Sequence, residues 1–480
     1  MRDKEIIRFS ATHLARLIAS RELSCFEVMC AYLDQIEAIN PEVNAIISML
    51  DREQLELLAQ VKDQEMGRYD VLPPLYGLPL APKDLTATHG VVTSLGSPIF
   101  KDQRNAVDSI VVERMRRAGG ILIGKTNVPE FGLGSHTYNT VFGSTKNAYD
   151  QGKSAGGSSG GAAVALALEM LPIADGSDFG GSLRNPAAWN NIYGFRPSRG
   201  RVPQGPSLEV FYDQFSTEGP MAKNVQDLAL LLSIQAGYDE HAPLSLKTPE
   251  GVFKQNLQTD LRGKKIAWLK DLDSYLPMQD GVINLCESGL GYFTQLGCEV
   301  ELVVPQFNMA SLWRAWSVLR AFVTGSKLHA FYQNPLHRSQ MKPEAIWEVE
   351  ESMKLNALDI YQASQIRTAW VKETNRLFTK YDFLVLPSAQ LFPFDIRWTW
   401  PKEIAHQTMD TYHRWMEVVI GPTLAGLPVL AAPVGFHQGV PMGIQIIGKP
   451  QGDLELLQMG FAWEQVVPFH ETRPALLRGL

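Results

Sequence analysis

Near the start of the chain, apolar side chains recur at helical spacing, with Leu14, Leu17 and Ile18 on one face. Ser24 and Glu27 stand at capping-box spacing ahead of Val28, Tyr32 and Ile36, which predicts a second helix that Pro41 should close. Beyond Pro73 and Pro74 the pattern changes. Short apolar runs follow at intervals (Leu78 to Ala81, Ile121 to Ile123, Ile266 to Leu269, Phe383 to Leu386, Val429 to Val434), separated by helical patterns such as Ser109 to Ala118. Unbroken runs of this length suit strands covered on both faces, so the alternation predicts an α/β fold around a largely buried sheet. From about Phe307 to Trp415 the pattern is again helical (Ile366, Trp370, Leu377). This segment holds Trp313, Trp316, Trp347, Trp370, Trp398, Trp400 and Trp415, and is expected to cover a pocket.

No Pro/Ser-rich linker and no repeat of 20 to 50 residues divides the chain, so a single large domain is the simplest organisation. With 480 residues, 45% of them hydrophobic and 20% charged, there is ample material for a large core. A net charge of −7 without a run of Lys or Arg leaves no footprint for gripping a nucleic-acid backbone. The first residues mix charge into their apolar positions, unlike a signal peptide. The longest apolar stretch, Ala162 to Ala174, contains Glu169 and falls short of the ~20 residues that span a bilayer. A cytoplasmic, soluble protein is therefore expected, acting on a small molecule as a monomer or homodimer, with neither nucleic acid nor membrane as partner. Cys25, Cys30, Cys286 and Cys298 are too few and scattered for a disulfide framework. The histidines show no HxH or HExxH spacing, so neither a metal nor another cofactor is expected.

Chemistry concentrates in KSAGGSSGGAAVALALEMLPIADGSDFGGSLRNPAAW, from Lys153 to Trp189. In isolation the Gly156 to Gly161 stretch resembles a flexible linker. An apolar helix-forming run follows at once, however, and a second glycine pair, Gly180 and Gly181, precedes Ser182. Glycines between core elements more often let backbone approach a ligand. Neither GxxxxGK[ST] nor GxGxxG is present, which removes a phosphate-binding reading. What remains is a pair of turns that could aim N–H groups at a developing oxyanion beside a serine hydroxyl. A serine nucleophile needs a base, and Ser182 stands in no GxSxG elbow of the kind that works with a histidine. Lys83, at the end of the apolar run GLPLAPKDL, is the other candidate. At its ordinary pKa a neutral lysine costs ~4.6 kcal/mol at pH 7, a cost that burial removes by lowering the pKa.

These segments resemble the amidase signature family of Ser-Ser-Lys hydrolases. The GGSSGG turn, the GSDFGGSLRNPAA block and the lysine of LPLAPKDL match it in type, order and distance; GKTNVPEFGLGS (Gly124 to Ser135) and AGLPVLAAPVGF (Ala425 to Phe436) match its flanking segments. The resemblance implies one domain over 1–480, a central mixed, twisted sheet covered by helices on both faces. Within it, 1–70 would be N-terminal helices, 71–305 the catalytic core, 306–415 a variable Trp-rich pocket segment and 416–480 a return to the core. Carried over residue by residue, it implies Ser182 as nucleophile, Ser158 as bridging serine behind a cis Gly157–Ser158 bond, and Lys83 as base. Phe179, Gly180, Gly181 and Ser182 would supply the oxyanion hole, and Ser159 and Ser177 would complete the network around the lysine. Asp178 and Arg184 would pair to brace the loop, while Gly134 and Ser135 are candidates for substrate contact.

Pro82 stands where many members carry Val or Ile, and Trp189-Asn190 where many carry Phe-Cys, which alters the pocket wall without touching the triad. The implied activity is hydrolysis of a small or medium amide with a hydrophobic or aryl portion, with esters or carbamates open to the same chemistry. The alternative within the family is the glutaminase component of a tRNA-dependent amidotransferase, which works together with partner chains. The stretches Glu344 to Glu351 and Met416 to Pro422 lack its pair of amino-acid clamps. A catalytically silent scaffold is the remaining alternative, opposed by the intact Lys83, Ser158 and Ser182.

Overall fold

The computed structural model describes residues 3–469 and 472–478. Helix α1 spans Ala11–Ala19 and buries Leu14, Leu17 and Ile18, as their spacing predicts. In α2 (Cys25–Val43) the capping box forms: Glu27 N–H donates to Ser24 Oγ at 3.0 Å, and Ser24 N–H to Glu27 Oε2 at 2.8 Å. Pro41 does not close this helix. It sits in the last turn, where a missing N–H costs one bond only. Asn44 ends the helix instead, in the left-handed conformation (φ 54°), with its N–H on Asn40 O at 2.7 Å.

Eight strands make the central sheet: β1 (Ala174–Asp178), β2 (Tyr193–Arg196), β3 (Thr217–Ala222), β4 (Lys265–Trp268), β5 (Glu299–Leu302), β6 (Phe383–Pro387), β7 (Val429–His437) and β8 (Val440–Ile447). Their spatial order is β5-β4-β6-β8-β7-β2-β3-β1. The β5–β4 and β4–β6 pairs are parallel and the rest antiparallel, so the sheet is mixed. The apolar runs at Leu78 and Ile121 do form strands, but Pro79–Leu80 and Ile121–Leu122 pair with each other in a small parallel sheet of their own.

Further helices used below are α3 (Gly160–Ala167), α4 (Val282–Gln295), α5 (Met309–Gln333), α6 (Pro343–Ser352), α7 (Ala357–Phe378) and α8 (Asp453–Val466). Side chains alternate between faces along a strand, and this shows that helices cover both sides of the sheet. Leu430 and Val434 of β7 occupy one face. They lie against Gly460 of α8 and Gly289 of α4, where an added Cβ would meet them at 2.4 and 2.2 Å. Gly443 of β8, on the opposite face, lies against Ala188 of the Asn185–Trp189 helix, 3.0 Å from where its Cβ would be.

The Trp-rich segment is helical only as far as Phe378. It then enters the sheet as β6 and continues through loops, while α5 packs along both α6 and α7. Among the described residues none of the four cysteines is joined in a disulfide. Among the described residues no helix is long and apolar enough to cross a membrane.

Candidate active site

Three segments converge on one buried amine. The small Pro79–Leu80 strand leads into Lys83, which bridges to Thr126 and lies wholly out of solvent. Ser158 and Ser159 sit at the entry to α3, after the cis Gly157–Ser158 peptide bond, and β1 brings Ser177. Lys83 Nζ is 2.8 Å from Ser158 Oγ, 2.8 Å from Ser159 Oγ, 3.0 Å from Ser177 Oγ and 3.2 Å from Ser177 O. Burial lowers its pKa to about 7, although Asp175, Asp178 and Glu218 pull the other way. A neutral amine has two N–H donors and one lone pair. Ser177 O can only accept, which occupies one donor; the lone pair is then available to a serine O–H.

The glycines of the first turn serve a different purpose from the close approach to a ligand that the sequence suggests. A Cβ on Gly160 would meet Thr137 Oγ1 at 2.3 Å, and one on Gly161 would meet Asn127 N at 2.3 Å and Ala45 O at 2.6 Å. They let α3 press against neighbouring chain segments, which fixes the two serines that precede it.

After β1 the chain turns through Phe179, Gly180, Gly181 and Ser182, with Gly181 at φ 94°. Asp178 braces this turn. Its carboxylate takes Arg184 Nε and Nη2 at 3.0 and 2.9 Å, Arg196 Nη1 at 3.1 Å, and the N–H groups of Gly181 and Leu183 at 2.9 and 3.1 Å. Burial raises the carboxyl pKa, but the two guanidinium groups outweigh it and hold the group well below its usual range. The expected Asp178–Arg184 pair is therefore present, and Arg196 is a third member that the motif did not suggest. The expected oxyanion donors need one correction: Gly181 N–H is committed to Asp178. The N–H groups of Phe179, Gly180 and Ser182 have no acceptor among the described residues. Ser182 Oγ likewise makes no hydrogen bond there and borders the cavity next to Ser158.

That cavity measures about 180 Å3, and Gly134 and Ser135 line it, as does Phe179. Ser135 Oγ is buried, with no hydrogen-bond partner among the described residues. Among the described residues no tryptophan lines it, contrary to the expectation for the Trp-rich segment. Trp316 backs Phe179 from behind, with ring centroids 5.5 Å apart, while Trp189 stacks on Trp415 at 5.9 Å away from the opening. What α5 contributes is one helical face, Arg320, Val323, Thr324, Lys327 and Leu328. Asp213 lies opposite and pairs with Lys327. Sequence reasoning missed Arg320, Asp213 and Lys327, although the spacing of 320, 323, 324, 327 and 328 was readable as a single face. It also passed over Lys125 of the GKTN stretch. This second buried lysine donates to Thr86 O at 2.5 Å and Thr88 Oγ1 at 2.8 Å, and burial lowers its pKa to about 8. Among the described residues no group of three or more His, Cys, Asp or Glu side chains is placed to hold a metal ion.

With this geometry in view, comparison with known proteins is direct. The amidase family matches residues 27–457. The acylamidase of Rhodococcus erythropolis is 31% identical over 482 residues, covering 99% of each chain. One chain of the glutamyl-tRNA(Gln) amidotransferase of Moorella thermoacetica is also 31% identical, over 98% of this chain and 99% of that protein. Among solved structures, a bacterial aryl acylamidase of the amidase signature family superposes with a TM-score of 0.90 at 29% identity, over 97% of this chain and 99% of the other. The chain belongs to the amidase signature family, and is a hydrolase of amide C–N bonds.

Proposed function

We propose that the chain is an acyl-transferring amidase for small to medium amides with a hydrophobic or aryl portion, using Ser182 as nucleophile, Ser158 as proton bridge and Lys83 as base. The observation that carries this reading is the fully buried Lys83 amine, 2.8 Å from Ser158 Oγ, beside a cavity onto which the free Ser182 hydroxyl also opens. Neutral Lys83 takes a proton from Ser158 as Ser158 takes one from Ser182, and Ser182 Oγ attacks the amide carbon. Catalytic hydrogen bonds often tighten only when substrate is bound, which suits a Ser182 hydroxyl free of partners beforehand. The oxyanion is held by the N–H groups of Phe179, Gly180 and Ser182. Collapse breaks the C–N bond, the relay runs backwards to protonate the departing amine, and water then cleaves the ester on Ser182 by the same proton path. Asp178 and Arg184 hold the turn, and Ser159 and Ser177 hold the amine. Residues 306–415 act as the pocket segment of a single domain, through α5 rather than through their tryptophans.

A cavity of about 180 Å3 lies below the ~300–1,000 Å3 of drug-sized sites, which favours compact substrates. Each methylene buried there is worth ~0.8 kcal/mol, roughly fourfold in kcat/KM. A panel of anilides, acyl amides of increasing length, acetamide, glutamine and matching esters tests the reading. Anilides or longer acyl amides should exceed acetamide by one to two orders of magnitude.

A second reading, the glutaminase component of an amidotransferase, is favoured by relatives of equal identity and by the charged Arg320, Lys327 and Asp213 at the cavity. Against it, these charges come from neither expected clamp stretch, and Asp213 and Lys327 are paired with each other. Glutamine as the best substrate, dependent on added partner chains, would decide for that reading.

A further inference from the structure

Among the described residues Arg320 is the one arginine that reaches the cavity wall, and only 4% of its surface is exposed. Two of its three nitrogens are hydrogen-bonded to side chains. Nε donates to Glu348 Oε1 at 2.6 Å, Nη2 donates to the Tyr412 hydroxyl at 2.5 Å, and that hydroxyl donates to the same Glu348 oxygen at 2.6 Å. The closed ring of three side chains, from α5, α6 and the loop before Trp415, locks the plane of the guanidinium. Its remaining corner, Nη1, has no acceptor among the described residues. The guanidinium carbon lies 5.3 Å from the centroid of the Phe179 ring, and Nη1 is 3.9 Å from where a Cβ on Gly180 would be. The free donor therefore stands beside the turn that carries the proposed oxyanion donors.

That nitrogen opens onto the cavity, so a substrate that displaces the water there must supply it with a partner or forfeit a charged hydrogen bond. Charge balance narrows what that partner is. Glu348 already matches the guanidinium charge at contact distance, and burial, which by itself works against a charged arginine, is outweighed by Glu348 and Tyr412 so that its pKa rises. A carboxylate on the substrate would bring a further anion to a cavity whose two cations, Arg320 and Lys327, are already matched by Glu348 and Asp213. An uncharged oxygen would accept from Nη1 without adding charge.

We propose that Arg320 Nη1 is a specificity contact for a second, uncharged oxygen acceptor on the substrate, so that the preferred amides carry a ketone or further amide carbonyl as well as the scissile one. This deepens the amidase reading above and rests on it. The cavity is then not a uniformly greasy slot. Phe131, Leu133, Val323 and Leu328 take the hydrocarbon, and Arg320 fixes its register through one directed hydrogen bond.

The test uses pairs of substrates that differ only in a carbonyl replacing a methylene. Suitable pairs are hexanoyl anilide against its 3-, 4- and 5-oxo analogues, and N-alkyl acetamides against the oxo analogues of their amine chains. A carboxylate-bearing analogue of each chain completes the panel. The full-length protein should prefer one oxo position over its methylene partner by about 10- to 100-fold in kcat/KM, mostly through KM, the range of a hydrogen bond to a charged donor.

In Arg320→Lys, which keeps a cation beside Glu348 but has no Nη1, that ratio should fall to within about threefold of unity. The double variant Arg320→Met/Glu348→Gln, which leaves no uncompensated buried charge, should behave alike. The same pairs titrated calorimetrically into Ser182→Ala should show the same ratio in Kd, a readout independent of turnover. Absence of an oxo preference in the unaltered protein, its survival in both Arg320 variants, or a stronger preference for the carboxylate would each overturn the proposal. Failure of the amidase mechanism itself would show differently, as undiminished turnover by Ser182→Ala whatever the ratio.

Discussion

The proposed proton abstraction by Lys83 has a consequence that separates it from any structural role of that residue. In the folded chain its pKa lies at about 7, against 10.5 for a free lysine, with burial as the leading cause. At pH 7 about half of the molecules therefore hold a neutral amine, whereas an exposed lysine would be neutral in roughly one molecule in three thousand. A kcat/KM profile from pH 5 to 10 on a neutral anilide should rise with unit slope, bend near pH 7 and stay level above it. Stability should depend on pH in the same direction. The unfolded chain binds the proton up to pH 10.5 and the folded chain only to about 7, so this group makes stability rise between those values and leaves its full cost in place below 7. That cost is at most ~5 kcal/mol, the shift of 3.5 units (10.5 minus 7) taken at 1.36 kcal/mol each. Lys83→Met should accordingly abolish turnover while raising the melting temperature, and Lys83→Arg, charged at every accessible pH, should restore nothing. An active Lys83→Arg variant, or an acidic limb centred near pH 10, would refute the reasoning.

Two further substitutions probe the turn that carries Ser182. Asp178→Ala leaves Arg184 and Arg196 buried without their carboxylate, and should cost about 3–5 kcal/mol in denaturant unfolding; a loss below ~1 kcal/mol, as for a surface pair, would contradict the bracing role. Gly181→Ala places a Cβ 2.9 Å from Val419 Cγ2 at a backbone φ of 94°, and should cost ~1–3 kcal/mol of stability together with most of kcat. An Ala variant with unchanged kcat would mean that the turn need not hold this shape.

Local rules with short reach were legible in the sequence. The Ser24–Glu27 box, the buried face of α1 and the strands at Ile266, Phe383 and Val429 depend on spacing within a few residues, and the structure has them. The family resemblance brought Lys83, Ser158 and Ser182 together; Ser158 and Ser182 line one cavity, and Lys83 Nζ stands behind it, 2.8 Å from Ser158 Oγ. What stayed hidden depends on contacts far apart in the chain. Pro41 reads as a stop, but a proline in the last turn loses one bond while Asn44 supplies the cap. Gly181 reads as an oxyanion donor until Asp178 is seen to take its N–H. The tryptophans read as a pocket lining because aromatic content carries no direction; Trp316 and Trp415 lie in the core, and the cavity received a mixed face of α5 instead, with Arg320, Thr324 and Lys327 beside Val323 and Leu328. Arg320 acquires its meaning only from Glu348 and Tyr412, 28 and 92 residues away.

The central claim is that Ser182 forms the covalent acyl intermediate, with Ser158 relaying its proton to Lys83. The most direct measurement is intact-mass and peptide-mapping analysis of the protein treated with a fluorophosphonate, in parallel with Ser182→Ala and Ser158→Ala. One adduct per chain should form on Ser182 and none on Ser182→Ala, with slowed labelling of Ser182 in Ser158→Ala. An adduct mapped to Ser158, with Ser182→Ala still fully active on anilides, would contradict the central claim.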